Sequence, residues 1–235
     1  LHPRVRRQRQ MCIRDRVGDL LGHFPCKLLI ATSNWLKMNH SATANEIIEV
    51  TQEELSRASL QKTPQEVLAV FVQPSYDLNP EVIKSSLCLA LDDVQDPGNL
   101  GTIIRLADWF GIEHIFCSTG TADVYNPKTV QATMGALARV KVHYCSLPQL
   151  IESLTDIPVY GTFLNGNIIY TESLSAHGLI VMGNEGKGVS LEVEKLINNK
   201  LYIPNYPQER ETSESLNVAI ATAVVCSEFR RRLLP

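Results

Sequence analysis

LALDDVQDPGNLGTIIRLADWFG, residues 89–111, is the stretch whose reading decides the fold. The apolar run Leu87 to Leu91 has the length of a buried strand. Asp92, Asp93, Asp96, Pro97, Gly98 and Asn99 then form a dense turn cluster. From Leu100 the period changes: Leu100, Ile103, Ile104, Ala107 and Phe110 recur at helical spacing, and Gly111 can end the helix. Strand, tight turn and helix N-terminus bring backbone N–H groups to the carboxyl end of a strand, where open α/β sheets bind ligands. Arg105 stands on this otherwise apolar helix without an evident packing role; its bland alternative is an ion pair with Asp108 or Glu113.

Outward from that unit, strands and helices alternate. Strand 86–94 leads to helix 99–110, strand 114–118 to helix 129–140, and a strand near 142–145 to helix 147–155. Strands at 158–164, 178–184 and 200–204 follow, with helices at 190–198 and 215–231. Regular alternation predicts an α/β fold, a mostly parallel sheet with helices on both faces. The last helix is apolar all round (Val218, Ile220, Val224, Val225, Phe229), which predicts burial or a place in a dimer interface.

Two further stretches stand in order after the first: GLIVMGNEGKGVS at 178–190 and YIPNYPQERETSESLNVAIATAVVCSEFRR at 202–231. Together the three resemble the sequence motifs of the SpoU (TrmH-like) RNA 2′-O-methyltransferases of the SPOUT superfamily. Asn99, Gly101 and Arg105 meet the pattern Asn-x-Gly-x-x-x-Arg. Gly183, Glu185 and Gly186 meet Gly-x-Glu-Gly, and Ser215, Leu216 and Asn217 meet Ser-Leu-Asn. The resemblance covers residues 86–233 and implies a SpoU methyltransferase domain over 86–235, with a C-terminal trefoil knot, an exception to the rule against knots. It also implies a homodimer with the active site near the subunit interface.

By the same resemblance the cofactor is S-adenosyl-L-methionine, gripped by backbone groups around Gly183, Ile203 and Leu216, with Thr162 as a further candidate. Arg105 would hold the target phosphate, and Asn99, Glu185, Ser215 and Asn217 would complete a catalytic polar ring. Guanidinium stays protonated in proteins, so a clamp on a developing alkoxide suits Arg105 better than proton abstraction. Without the resemblance Ile203 and Leu216 read as core residues, and Ser215 as a cap for the last helix. Asn217 has less structural excuse. The segment PNYPQERETSE (204–214) is longer than the family's usual loop and sets Glu209, Arg210, Glu211 and Glu214 beside the cofactor site.

Residues 17–75 contain strands at 27–32, 46–50 and 67–73, with Thr51 and Glu54 spaced as a capping box for a helix through Leu60. KTPQEVLAVF (62–71) is similar to the last strand of the small RNA substrate-binding domain that this family carries in front. That domain begins well before the equivalent of Val17, so a partial domain is expected, joined by a linker at 76–85. Residues 1–16, with six Arg against one Asp, read as a leader foreign to the family, an Arg-rich nucleic-acid arm being the alternative. The net charge of −3 becomes −8 over residues 17–235 once those are set aside, so any RNA footprint is a local patch or a dimer groove.

No stretch reaches the ~18 apolar residues of a membrane span, and no signal-peptide core opens the chain. Six cysteines without a C-x-x-C pair suit buried reduced thiols in a cytoplasmic protein, and the six histidines show no metal-ligand spacing. Asp92 and Asp93 face opposite sides of a strand, so they do not form a paired-carboxylate site. GNEGKG lacks the Gly-Lys-Ser/Thr ending of a phosphate loop, and no G-x-G-x-x-G is present, which disfavours an oxidoreductase. The expected activity is methyl transfer to a ribose 2′-hydroxyl of structured RNA, rRNA rather than tRNA. The alternative is a non-catalytic RNA-binding or ribosome-assembly protein that keeps the fold.

Overall fold

The computed structural model describes residues 10–13, 17–58, 65–207, 210 and 215–234. They fall into two compact units, Leu1–Ser75 and Tyr76–Pro235.

The first unit holds strands β1 (Gln10–Ile13), β2 (Cys26–Ala31), β3 (Glu46–Glu49) and β4 (Val67–Val72) and helices α1 (Val17–Leu20), α2 (Ser33–Met38) and α3 (Gln52–Ala58). Its sheet runs β1-β4-β2-β3, with β2 and β3 parallel and the other pairs antiparallel. The capping box forms as spaced: Glu54 N–H donates to Thr51 Oγ1 at 3.3 Å, and Thr51 N–H to Glu54 Oε2 at 2.9 Å. The stretch read as a leader contributes a strand, since residues 10–13 pair with β4; the rest of it lies outside the described residues.

The second unit is a six-stranded, wholly parallel sheet. In chain order it contains α4 (Val82–Ser85), β5 (Leu87–Leu91), α5 (Pro97–Trp109), β6 (His114–Cys117), α6 (Pro127–Thr133), β7 (Lys141–Tyr144), α7 (Leu147–Glu152), β8 (Val159–Ile168), β9 (Gly178–Met182), α8 (Leu191–Glu194), β10 (Asn199–Tyr202) and α9 (Val218–Arg231). Spatial order is β10-β8-β9-β5-β6-β7. All five residues of β5 and of β9, the two central strands, are buried, as expected where helices cover both faces. Residues 76–85, read as a linker, belong to this unit, and Ile83 of α4 is fully buried in its core.

Several boundaries differ from the periodic reading, each for a local reason. Helix 129–140 stops after Thr133, because Met134 and Gly135 adopt φ of +52° and +87° and a short 3₁₀ turn at 136–138 replaces the last turns. Helix 190–198 shrinks to the four residues of α8. Strand 158–164 extends to Ile168, held by its pairing with β10. Strand 86–94 ends at Leu91, and the aspartates that follow are spent on the turn. Asp92 accepts Ser190 N–H at 2.7 Å, whereas Asp93, at φ +60°, accepts the Ser118 hydroxyl at 3.0 Å.

α5 and α9 run side by side in the same direction and are pinned at both ends. At their starts Asn217 Nδ2 donates to Asn99 Oδ1 at 3.1 Å. At their ends Arg230 donates to the carbonyls of Phe110 (2.7 Å) and Gly111 (3.0 Å), closing C-terminal groups that a helix cannot satisfy itself. Most of α9 is buried, but Ile220 is 55% exposed. The five cysteines whose side chains are described are free, and four of them are buried.

Candidate active site

Three loops, at the carboxyl ends of the central strands β5 and β9 and of the edge strand β10, make the candidate site. The first, after β5, leads into α5. Asp96, in extended conformation, caps the helix by accepting Asn99 N–H at 2.8 Å, and Pro97 occupies its first position. The helix therefore starts before the expected residue 99, which sets Asn99 in its first turn with the side chain free to reach outward. Lys128 of α6 binds the other carboxyl oxygen of Asp96 at 2.9 Å.

The second loop, 183–188 after β9, is a closed ring. Asn184 and Gly188 exchange backbone hydrogen bonds of 2.9 and 3.0 Å, and Gly188 takes a left-handed φ of +69°. The Asn184 side chain locks the ring to the first loop: Nδ2 donates to Asp93 O at 2.7 Å, while Oδ1 accepts the N–H groups of Gly186 and Lys187. At Gly183 a Cβ would lie 2.3 Å from the Gly188 carbonyl carbon, so no side chain is admitted. The Asn184 brace was missed by sequence reasoning. An Asn directly after a glycine is a turn signal, but its partner lies 91 positions away.

The third loop leads into α9, and here the structure corrects the sequence reading. The cap is Asn217, not Ser215: Asn217 Oδ1 accepts the N–H groups of Ala219 (3.0 Å) and Ile220 (3.3 Å). The residue that seemed to lack a structural duty has one. Its amide nitrogen remains for Asn99, and Asn99 Nδ2 in turn donates to Glu185 Oε1 at 2.9 Å. Gln95 N–H reaches Glu185 Oε2 at 3.4 Å. One residue from each motif thus joins a single hydrogen-bonded chain, Asn217–Asn99–Glu185.

Beside it lies a cleft of about 480 Å³, within the ~300–1,000 Å³ of small-molecule sites. All four expected cofactor residues, Thr162, Gly183, Ile203 and Leu216, line it, as do Glu185 and Ser215. Met182, Val218 and Ala221 add an apolar wall and Lys187 a charge. Glu194, also on the wall, is paired with Lys200 at 2.5 Å, and that ammonium lies 4.7 Å over the Phe163 ring. Ile203 and Leu216 are not the core residues of the bland reading, since Leu216 is 49% exposed and Ile203 only half-buried. No hydrogen bond among the described residues uses their backbone groups. An apolar wall, main-chain groups at Ile203 and Leu216 left without partners among the described residues, and a glycine at 183 with no room for a side chain fit S-adenosyl-L-methionine, whose adenine needs the wall and whose polar groups need main-chain partners.

Arg105 does not line this cleft. It lies six residues beyond Asn99, about 9 Å along α5 at the ~1.5 Å rise per residue, on the exposed face with Thr102 and Trp109. The ion pair of the bland alternative does not form: Asp108 is held bidentately by Arg139 at 2.7 Å, and Arg105 has no partner among the described residues. Glu209, Glu211 and Glu214 lie outside the described residues. Among the described residues no three His, Cys, Asp or Glu side chains gather as a metal site, and no helix is long and apolar enough to cross a membrane. His114 and His143, from the adjacent strands β6 and β7, face each other. They pair at 3.1 Å, and His143 is stacked on Phe116 at 5.1 Å.

Comparison with known proteins identifies the family and the fold. The model of the SpoU rRNA methylase family matches residues 86–227. A Bacillus subtilis protein, 23S rRNA (guanosine(2553)-2′-O)-methyltransferase RlmP, is 34% identical over 184 residues, 77% of this chain and 71% of its own. The match to 23S rRNA (guanosine-2′-O-)-methyltransferase RlmB of Neisseria meningitidis, at 28%, covers 66% of this chain and 62% of that one. A TrmH-family structure from Porphyromonas gingivalis superposes with a TM-score of 0.84 at 40% identity, over 95% of this chain and 90% of its own. The AdoMet-bound rRNA methyltransferase of Sinorhizobium meliloti gives 0.81 at 26%, over 97% and 89%.

Proposed function

The chain belongs to the SpoU rRNA methylase family, and on that premise we propose that it transfers the methyl group of S-adenosyl-L-methionine to a ribose 2′-hydroxyl of structured RNA, rRNA rather than tRNA. What supports this reading is the hydrogen-bonded chain Asn217–Asn99–Glu185 beside a cleft lined by Gly183, Ile203 and Leu216. The preference for rRNA leans on the relatives' names, 23S rRNA methyltransferases among them.

The cofactor supplies a methyl group already activated by its sulfonium. The protein's tasks are to hold the donor, aim the hydroxyl and stabilise the oxygen as its proton leaves. Positioning is the largest share, worth up to ~7–11 kcal/mol in well-oriented systems. Gly183, Thr162, Ile203 and Leu216 hold the donor, while Asn99, Glu185, Ser215 and Asn217 form the polar ring beside it. Arg105, exposed and without an ion-pair partner among the described residues, binds the target phosphate and stabilises the developing alkoxide.

Since Arg105 stands outside the cleft of its own protomer, the reading includes a homodimer that completes the site. Trp109, one turn from Arg105 and 83% exposed, and Ile220 supply apolar surface for that contact. The C-terminal knot, a front domain that docks RNA and a cytoplasmic setting belong to the same proposal. Tritium transfer from labelled cofactor to total RNA tests it. Wild type should label RNA and Arg105→Ala should lose ~10²-fold or more, the scale of one missing charge-stabilising donor. Absence of labelling by wild type, with binding of NAD in place of S-adenosylhomocysteine, would overturn it. Turnover-free RNA binding would favour the assembly-protein alternative.

A further inference from the structure

The chain that joins the three motifs has a direction, and that direction constrains what its members can do. Asn217 Oδ1 is committed to the donors Ala219 N–H and Ile220 N–H, so its other side-chain atom toward Asn99 must be the nitrogen. Asn99 must then present Oδ1 to Asn217 and Nδ2 to Glu185. Glu185 receives Asn99 Nδ2 on one oxygen and Gln95 N–H on the other, so both act as acceptors. No other assignment of the two amides satisfies every link. Donor capacity flows from the start of α9, through α5, into the carboxylate of the cleft's glycine loop.

Resting on the methyltransferase reading, we infer that Glu185 and Asn99 are positioning residues and not the groups that take the hydroxyl proton. Glu185 is the strut that ties the ring 183–188 to α5. Asn99 is the relay that ties both to Asn217, whose neighbours Ser215 and Leu216 line the cleft. Loss of either link would let the glycine loop and the segment before α9 drift apart, opening the cleft between them. The neutral amide at 99 is required by polarity: a carboxylate there would face the carboxylate of Glu185.

That polarity can be reversed at one link without loss of any bond, which makes a decisive test. In the double variant Glu185→Gln with Asn99→Asp, the new amide can donate to the new carboxylate and still accept Gln95 N–H, while the carboxylate still accepts from Asn217. Binding of S-adenosylhomocysteine is measured by calorimetry. Each single variant should weaken it by ~10-fold or more, and the double should return to within ~3-fold of wild type, with single-turnover methyl transfer recovering alongside. Single variants that bind like wild type would overturn the inference, as would a double no better than the worse single. So would a double that binds normally but transfers no methyl group, because a proton acceptor would then have been removed. Should Asn99→Asp fail to fold, Asn99→Ala, Glu185→Ala and their combination give a second cycle, in which strictly additive losses refute the relay. A wild-type protein that does not bind S-adenosylhomocysteine would refute the methyltransferase reading instead.

Discussion

Gly183 and His143 show how far single positions carry the chemistry. A methyl group at 183 meets backbone on the far side of the ring, at 2.3 Å from Gly188 C and 2.4 Å from Val189 N, so the loop itself must move. Gly183→Ala is expected to cost at least ~10-fold in S-adenosylhomocysteine affinity, read by calorimetry, because the loop's placement forms one wall of the cleft. His143 is only 6% exposed, and burial, with His114 and Lys141 nearby, pushes its pKa down to about 4. The folded protein thus keeps it neutral at pH values where the unfolded chain would bind a proton. Stability should fall as pH drops from about 6.5 toward 4, and His143→Phe, stacked in the same way on Phe116, should flatten that slope in denaturant titrations.

At the scale of elements, the glycine of the first motif proves to be a packing residue. A Cβ on Gly101 would sit 2.5 Å from Ala132 Cβ and 2.5 Å from Thr129 O, so α5 and α6 approach too closely to admit it. Gly101→Ala should destabilise by ~1–3 kcal/mol through overpacking, measured by chemical unfolding. The end of α9 makes a second case. Glu228, 5% exposed, accepts from Arg231 at 2.8 and 2.9 Å and from Arg232 at 2.9 Å. Arg232 also donates to the carbonyls of Ile169, Tyr170 and Glu172. The hydrogen bonds from Arg231 lead in holding the Glu228 carboxyl at about 2, well below its usual range. Its contribution is present above the ordinary carboxylate pKa and lost as pH falls from about 4.5 toward 2, a window distinct from that of His143. Glu228→Gln should remove that lower slope and cost ~1.5–3 kcal/mol at neutral pH.

For the molecule as a whole, the proposed dimer and the proposed RNA contact each have a solution signature. Sedimentation of wild type should give two copies, and Trp109→Glu should shift it toward one while lowering methyl transfer, since a charge in an apolar contact is costly. RNA affinity should fall steeply with salt despite the net charge of −3, because a locally basic surface releases counterions whatever the overall balance.

The alternating sheet and helices, the sites of the three loops and the capping box at 51–54 were legible in the residues themselves. Period, glycine and cap signals act within a few positions of the chain, and the physics behind them is equally local. What only the tertiary structure decided is which polar side chains meet. Neither the Asn217 cap that reaches Asn99, nor the Asn184 brace on Asp93, nor the Arg139 that takes Asp108 away from Arg105 leaves a local trace. Their partners lie between 31 and 118 positions apart. The reason is that a hydrogen bond between distant residues depends on how helices and loops are packed against the sheet, and neighbouring letters carry no record of that packing.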